Sequence, residues 1–84
     1  MTSQEITTAA IRLINETITL GANVMNGCTT DYPKYKSNLD RMEGIKTWAI
    51  ANEQIQTIRL YLVQHNFGMN NQFSAREISK LFHN

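Results

Sequence analysis

Three side chains in this sequence could ligate a soft metal or act as a strong nucleophile: Cys28, His65 and His83. Zinc sites use four ligands, or three and a water, at characteristic spacings. The periodicity described below places Cys28 in a loop and His65 at the far end of a long helix. The two are separated by roughly 40 Å at 1.5 Å per helical residue. His65 and His83 can approach one another, but two imidazoles alone make a poor zinc site. Both histidines therefore read as surface or capping residues, and no metal or other cofactor is expected. Nucleophilic catalysis needs Cys28 or a serine beside a base that a third group orients. No neighbourhood in the sequence offers that trio, so Cys28 reads as an ordinary loop or packing thiol. Asp40 and Glu43 stand three residues apart, but among Lys36, Arg41 and Lys46. That alternation of sign describes a solvated helix face. The glycines are scattered and form no phosphate-cradling loop. The expectation is a protein that is not an enzyme.

Binding residues are easier to find. Tyr32 and Tyr35 alternate with Lys34 and Lys36, and tyrosine beside basic residues is common at protein interfaces. Arg76 and Lys80 are four residues apart, on one face of a C-terminal helix. These six, Tyr32, Lys34, Tyr35, Lys36, Arg76 and Lys80, are the candidate partner-binding residues. The run from Phe73 to Leu81 looks like the first helix of a helix-turn-helix, in which a turn and a recognition helix should follow. The 84 residues contain no such second helix. Nucleic acid could instead be met by this helix itself, with Lys34, Lys36, Arg41 and Lys46 on phosphates. Asp31, Asp40 and Glu43 are interleaved among those cations, which weighs against it.

Composition points the same way. Eight Lys and Arg stand against seven Asp and Glu, a net charge of +1. That gives no general electrostatic pull toward nucleic acid or anionic membrane. Charged residues make up only 18% of the chain, below the usual quarter, and Asn, Gln and Thr fill the polar positions. No apolar run approaches the ~20 residues that cross a bilayer. The first five residues lack the basic start of a secretory signal. A single cysteine fits a reducing cytoplasm and excludes an internal disulfide.

The elements that position these residues follow from spacing. A first helix is expected over residues 3–26, with Thr2 and Glu5 as a capping box. Ile6, Ala10, Leu13, Thr17, Leu20 and Val24 form one apolar stripe on it. Ile11, Ile14, Ile18, Ala22 and Met25 form a second beside it. Gly21 lies inside this arc, where a glycine allows close approach of another helix. Asn26-Gly27 ends the helix in a left-handed cap. A long second helix is expected over residues 37–65, although Pro33 could open it earlier with Thr30 or Asp31 as cap. Leu39, Met42, Ile45 and Ala49 begin its seam, and Trp48, Ala51, Ile55, Ile58 and Leu62 continue it. Leu60, Tyr61 and Val63 read as broadening the buried face. Trp48 and Tyr61 are expected in the core. After a loop over residues 66–73, a short third helix is expected over residues 74–83. Ser74 and Glu77 are its capping box, Phe73 and Ile78 its hydrophobic staple, and Ile78, Leu81 and Phe82 its inward face.

The fold class is therefore all-α, in one domain of residues 1–84. The expected arrangement is an antiparallel helical hairpin of two long helices plus a short C-terminal helix. A lone core is marginal at this size, and the apolar arcs exceed what one partner helix covers. Two copies are thus expected to pair as a homodimeric bundle. The function expected is a non-enzymatic protein–protein interaction module: a small adaptor, inhibitor, chaperone or assembly subunit in the cytoplasm. The Asn/Thr-rich make-up would suit a bacterial or phage accessory protein. The alternative is a small nucleic-acid-binding transcriptional regulator that uses the C-terminal helix.

Overall fold

A computed structural model of the chain describes residues 2–70 and 72–83. Every regular element among them is helical. Helix α1 spans Ser3–Met25, α2 Tyr32–Ala51, α3 Ile55–Gln64 and α4 Phe73–His83. Short 3₁₀ turns at Thr29–Asp31 and Phe67–Met69 lie in the two longer connections. Position 71, within the expected loop, lies outside the described residues.

Helix α1 begins as its sequence indicates, with the Thr2 hydroxyl accepting from the Glu5 backbone N–H at 3.2 Å. It ends at Gly27, which adopts a φ of 100°. The Cys28 N–H reaches back to the Asn23 carbonyl at 2.9 Å and the Gly27 N–H to the Val24 carbonyl at 3.0 Å. Such a left-handed end satisfies carbonyls the helix itself leaves open.

The expected second helix is two helices. Helix α2 starts at Tyr32, five residues before the expected boundary, with Pro33 in its first turn, where the missing N–H costs nothing. Asp31 makes no side-chain cap there. Its carboxylate is tied back toward α1, accepting from the Asn23 amide at 3.2 Å. The break falls at Asn52–Gln54. Glu53 takes a φ of 59°, and the Gln54 N–H returns to the Ala49 carbonyl at 2.8 Å. This is the same reversal as at Gly27, formed with a side chain that tolerates it poorly. Asn52 assists by donating its side-chain amide to the Trp48 carbonyl at 2.9 Å. Helix α3 ends on a third left-handed residue, Asn66, at a φ of 56°. Phe67 then buries its ring edge-on against Tyr61, 5.9 Å between centroids.

One chain thus contributes four helices to one core. Ala10 and Ile14 of α1 meet Met42 and Ala49 of α2, Ile58 and Leu62 of α3, and Ala75, Ile78 and Phe82 of α4. Each large member, fully buried, contributes about 1.5–3 kcal/mol. Trp48, Tyr61 and Leu81 pack on its edge, partly buried. Leu60 and Val63 are exposed, against their expected burial, because α3 turns Ile58 and Leu62 inward. The buried seam of α2 includes Tyr35 and Asn38 ahead of Met42. The Asn38 amide donates to Glu16 at 3.5 Å.

Helix α4 starts at Phe73, one residue early, and Ser74 is not its cap. Ser74 is 1% exposed, and its hydroxyl donates to the Ile18 carbonyl of α1 at 3.2 Å. Phe73, expected in a staple, is exposed. Ser74 sits where Gly21 leaves room. A Cβ on Gly21 would collide with the Ser74 Cβ and stand 2.7 Å from its Oγ and 2.9 Å from the Tyr35 ring. Three helices therefore meet at the one α1 residue without a side chain.

Two stability measurements check this account. Gly21→Ala gains about 1 kcal/mol of helix propensity but is expected to lose about 2 kcal/mol net by overpacking. Adding Ser74→Gly to it should recover part of that loss in urea melts. A Gly21→Ala chain as stable as the original would sink the close-approach reading. Glu53→Gly should raise stability by about 0.5 kcal/mol, since relief of the left-handed strain exceeds the added chain entropy. Glu53→Val should lower it, and the reverse order of midpoints would place the break elsewhere.

Candidate functional site

The six residues singled out from the sequence fall into three places. Lys34 forms an ion pair with Glu16 at 3.3 Å, both side chains largely exposed, a contact of little energetic weight. Tyr32 beside it is about half exposed. Tyr35 is in the core at 7% exposure. Lys36 and Lys80 line opposite walls of a groove of about 620 Å³ between α2 and α4, with Asp40, Glu43 and Glu77. Opposite charges are interleaved in that groove, which leaves no net field for a charged ligand. Arg76 and Lys80 share a second depression with Phe73 and His83 on the outer side of α4.

The outer side adjoins two further hollows. Residues 73, 76, 80 and 83 stand at 3-4-3 spacing, one stripe of α4, while Ser74, Ala75, Ile78 and Phe82 face the core. The depression they line measures about 490 Å³ and includes Gly68 and Ser79. It runs on into a hollow lined by Val63, Gly68, Met69, Ser79 and His83. Val63 and His83 in turn border a third hollow with Gln56, Arg59 and Leu60. The three share His83, so they form one continuous concave band across α3, the Phe67–Met69 turn and α4. Of the seven large apolar side chains exposed among the described residues, four lie in it: Leu60, Val63, Met69 and Phe73. Met69 is 87% exposed.

Local bonding holds this band in shape. The Arg59 Nε donates to the Phe82 carbonyl at 2.7 Å, satisfying one of the last open acceptors of α4 and placing a cation at its negative end. His83 Nδ1 lies 2.9 Å from the Ser79 carbonyl, which fixes the ring over its own helix. His65 stacks on Tyr61, 4.3 Å between centroids, and the Asn15 amide donates to the Tyr61 hydroxyl at 2.9 Å. Helix α3 is thereby pinned to α1. Sequence reasoning found Arg76 and Lys80 but missed Leu60, Val63, Met69, Phe73 and His83. For the first two a signal exists: they lie off the Ile55, Ile58 and Leu62 seam when placed at 100° per residue.

A separate apolar groove of about 480 Å³ lies between α1 and α2, lined by Ile6, Leu13, Ile45 and Trp48 with Ala9 and Gly44. Gly44 has no neighbour within 4 Å of where its Cβ would stand, so the groove is open there. Among the described residues no group of three or more His, Cys, Asp or Glu side chains could hold a metal ion. The Cys28 thiol is exposed and lies 3.4 Å from the Thr30 hydroxyl. No helix among the described residues is long and apolar enough to cross a membrane. Comparisons of the chain with family models, curated proteins and solved structures give no match.

Tyr35 is the buried titratable group of the molecule that stands out. Its hydroxyl is enclosed and has no hydrogen-bond partner among the described residues. Burial pushes its pKa above the ordinary value of 10, and the charges of Glu77 and Tyr32 add to the rise. An unsatisfied buried hydroxyl costs about 1–3 kcal/mol, so Tyr35→Phe should stabilise the fold by about 1 kcal/mol. The pH dependence has a definite sign. The folded state holds the phenol proton more tightly than the unfolded state, so stability is full below about pH 10 and falls as pH rises past it. Urea melts across that range should show a shallower alkaline loss for Tyr35→Phe than for the original chain. Identical alkaline slopes would mean that the phenol is not enclosed.

Proposed function

We propose that this protein is a non-enzymatic protein–protein interaction module that docks a partner on the α3–α4 face. One observation carries the reading: Leu60, Val63, Met69 and Phe73 are exposed together along one continuous concave band. Single exposed apolar side chains are ordinary on any protein. Several gathered in one depression, rimmed by polar groups, mark a contact site. Leu60, Val63 and Phe73 sit on helices packed on the core, so those three are presented at little ordering cost on binding. A cytoplasmic adaptor, inhibitor or assembly subunit fits this geometry. A second reading, nucleic-acid contact through α4, draws on the exposure of Arg76 and Lys80. It leaves the four apolar side chains without a role.

Site-specific photocrosslinking tests the proposal. A benzophenone side chain at position 63 should give a discrete crosslinked protein in the cells that make the chain. The same group at Thr8, exposed on α1, should not. Equal labelling patterns at the two positions would defeat the assignment of this face. A crosslink between two copies through position 44 would assign the α1–α2 groove to the homodimer expected from the sequence.

A further inference from the structure

The last two helices differ in charge from the rest of the chain. Residues 1–53 carry six carboxylates against five cations, whereas after Glu53 a single carboxylate, Glu77, faces Arg59, Arg76 and Lys80. Glu77 is half-buried near Tyr35 and also lines the depression that Arg76 and Lys80 share, where it offsets one of the two cations. The cations of α4 are outward. Arg76 and Lys80 are exposed on the same stripe as His83, and neither has an ion pair among the described residues. Phe73 stands among these cations, and the other apolar members of the band, Leu60, Val63 and Met69, line the hollows on α3 and the following turn that adjoin this depression through Gly68, Ser79 and His83. The band thus joins a mainly apolar stretch on α3 and its turn to a stretch of α4 with two cations and one carboxylate, and α4 is about 16 Å long at 1.5 Å per residue.

We propose that the partner docks an acidic amphipathic helix into this band, a deepening that rests on the reading of the α3–α4 face as a docking surface. The apolar stripe of the incoming helix covers Leu60, Val63 and Met69, and a flank of Glu or Asp meets Arg76 and Lys80. Helix-in-groove docking reads apolar anchors at i, i+3, i+4 and i+7, and three helical turns match the length of α4. Complementary charge fixes which way round the helix lies and excludes basic partners. A nucleic acid would use the same cations, but its phosphates would leave the apolar stretch uncovered.

The test uses labelled model helices and fluorescence anisotropy with the full chain. One peptide of about five turns carries a Leu stripe flanked by Glu. Its two counterparts carry Gln or Lys at the Glu positions, and a mixed-sequence duplex DNA completes the set. The Glu peptide should bind about tenfold tighter than the Gln peptide at low ionic strength. That advantage should largely vanish at about 0.5 M salt, where charges are screened over a few ångströms. The folded double variant Arg76→Glu/Lys80→Glu should prefer the Lys peptide. Leu60→Ser/Val63→Ser should weaken all peptides alike. Equal binding of the Glu and Gln peptides would overturn the acidic partner while leaving the apolar docking face in place. Binding of duplex DNA in preference to every peptide would overturn both. Glu-peptide binding untouched by Leu60→Ser/Val63→Ser would move the site elsewhere and overturn the proposal.

Discussion

Helices α1, α2 and α4 converge where one residue has no side chain, and most of the structure depends on that point. Gly21 lets the Ser74 side chain sit against the backbone of α1 and lets the Tyr35 ring close over the same spot. The Ser74 hydroxyl then bonds the Ile18 carbonyl, which fixes α4 in rotation as well as in distance. Once Ser74 is inward, helical geometry dictates the rest of α4. Ala75, Ile78 and Phe82 enter the core, and Phe73, Arg76, Lys80 and His83 face out. The make-up of the exposed band on α4 is thus settled on another helix, at a glycine that does not line it. Ala10, Ala49 and Ala75, all buried, extend the same economy of volume. These small residues let the backbones come close around the large buried side chains Ile14, Met42, Ile58, Leu62, Ile78 and Phe82.

Four helices in so short a chain also require sharp ends, and three of them are made by one device. Gly27, Glu53 and Asn66 each take a left-handed conformation. At the first two, backbone N–H groups return to carbonyls of the last turn by the same paired bonds. The residue types run from the most to the least suited. Glycine pays no steric cost there, asparagine little, and glutamate about 1 kcal/mol or more. The strained member stands at the turn that separates α2 from α3. The Thr7 hydroxyl donates to the Gln54 side-chain carbonyl at 3.3 Å, and the surrounding bonds at Ala49 and Trp48 hold the turn against that cost.

This explains which features were legible in the sequence. The first helix, its cap at Thr2 and its end at Gly27 could be read because each uses the residue that physics prefers there. The role of Gly21 followed from a glycine placed inside an apolar arc. The break at Glu53 could not be read, since neither glycine nor proline marks it. The three residues Asn52, Glu53 and Gln54 occupy close to one helical turn, so the apolar spacing stays in phase across the change of direction. Pattern alone therefore reports one long helix. Ser74 misled for a related reason. A serine three residues before a glutamate has the form of a cap, but a small residue opposite Gly21 was needed for packing, and packing prevailed. Leu60 and Val63 were assigned to the core by their type, although their angular position already set them apart from Ile58 and Leu62.

The exposed band is a consequence of the same break. As the end of one long helix, Leu60 and Val63 would have extended a seam against a facing helix. With the chain turned at Glu53, α3 spends its two best apolar positions, Ile58 and Leu62, on the core, and α4 covers only that side. Nothing among the described residues covers the other. The turn that allows one chain to complete a four-helix core therefore also leaves an apolar surface on α3 next to the depression that Arg76 and Lys80 line. Apolar area supplies affinity without direction, whereas fixed charges at its edge select the sign and orientation of what lies on it. Arg76 and Lys80, held at a set angle by the contact at Gly21, give this surface the second property. A surface with both is better suited to one kind of helix than to apolar partners in general.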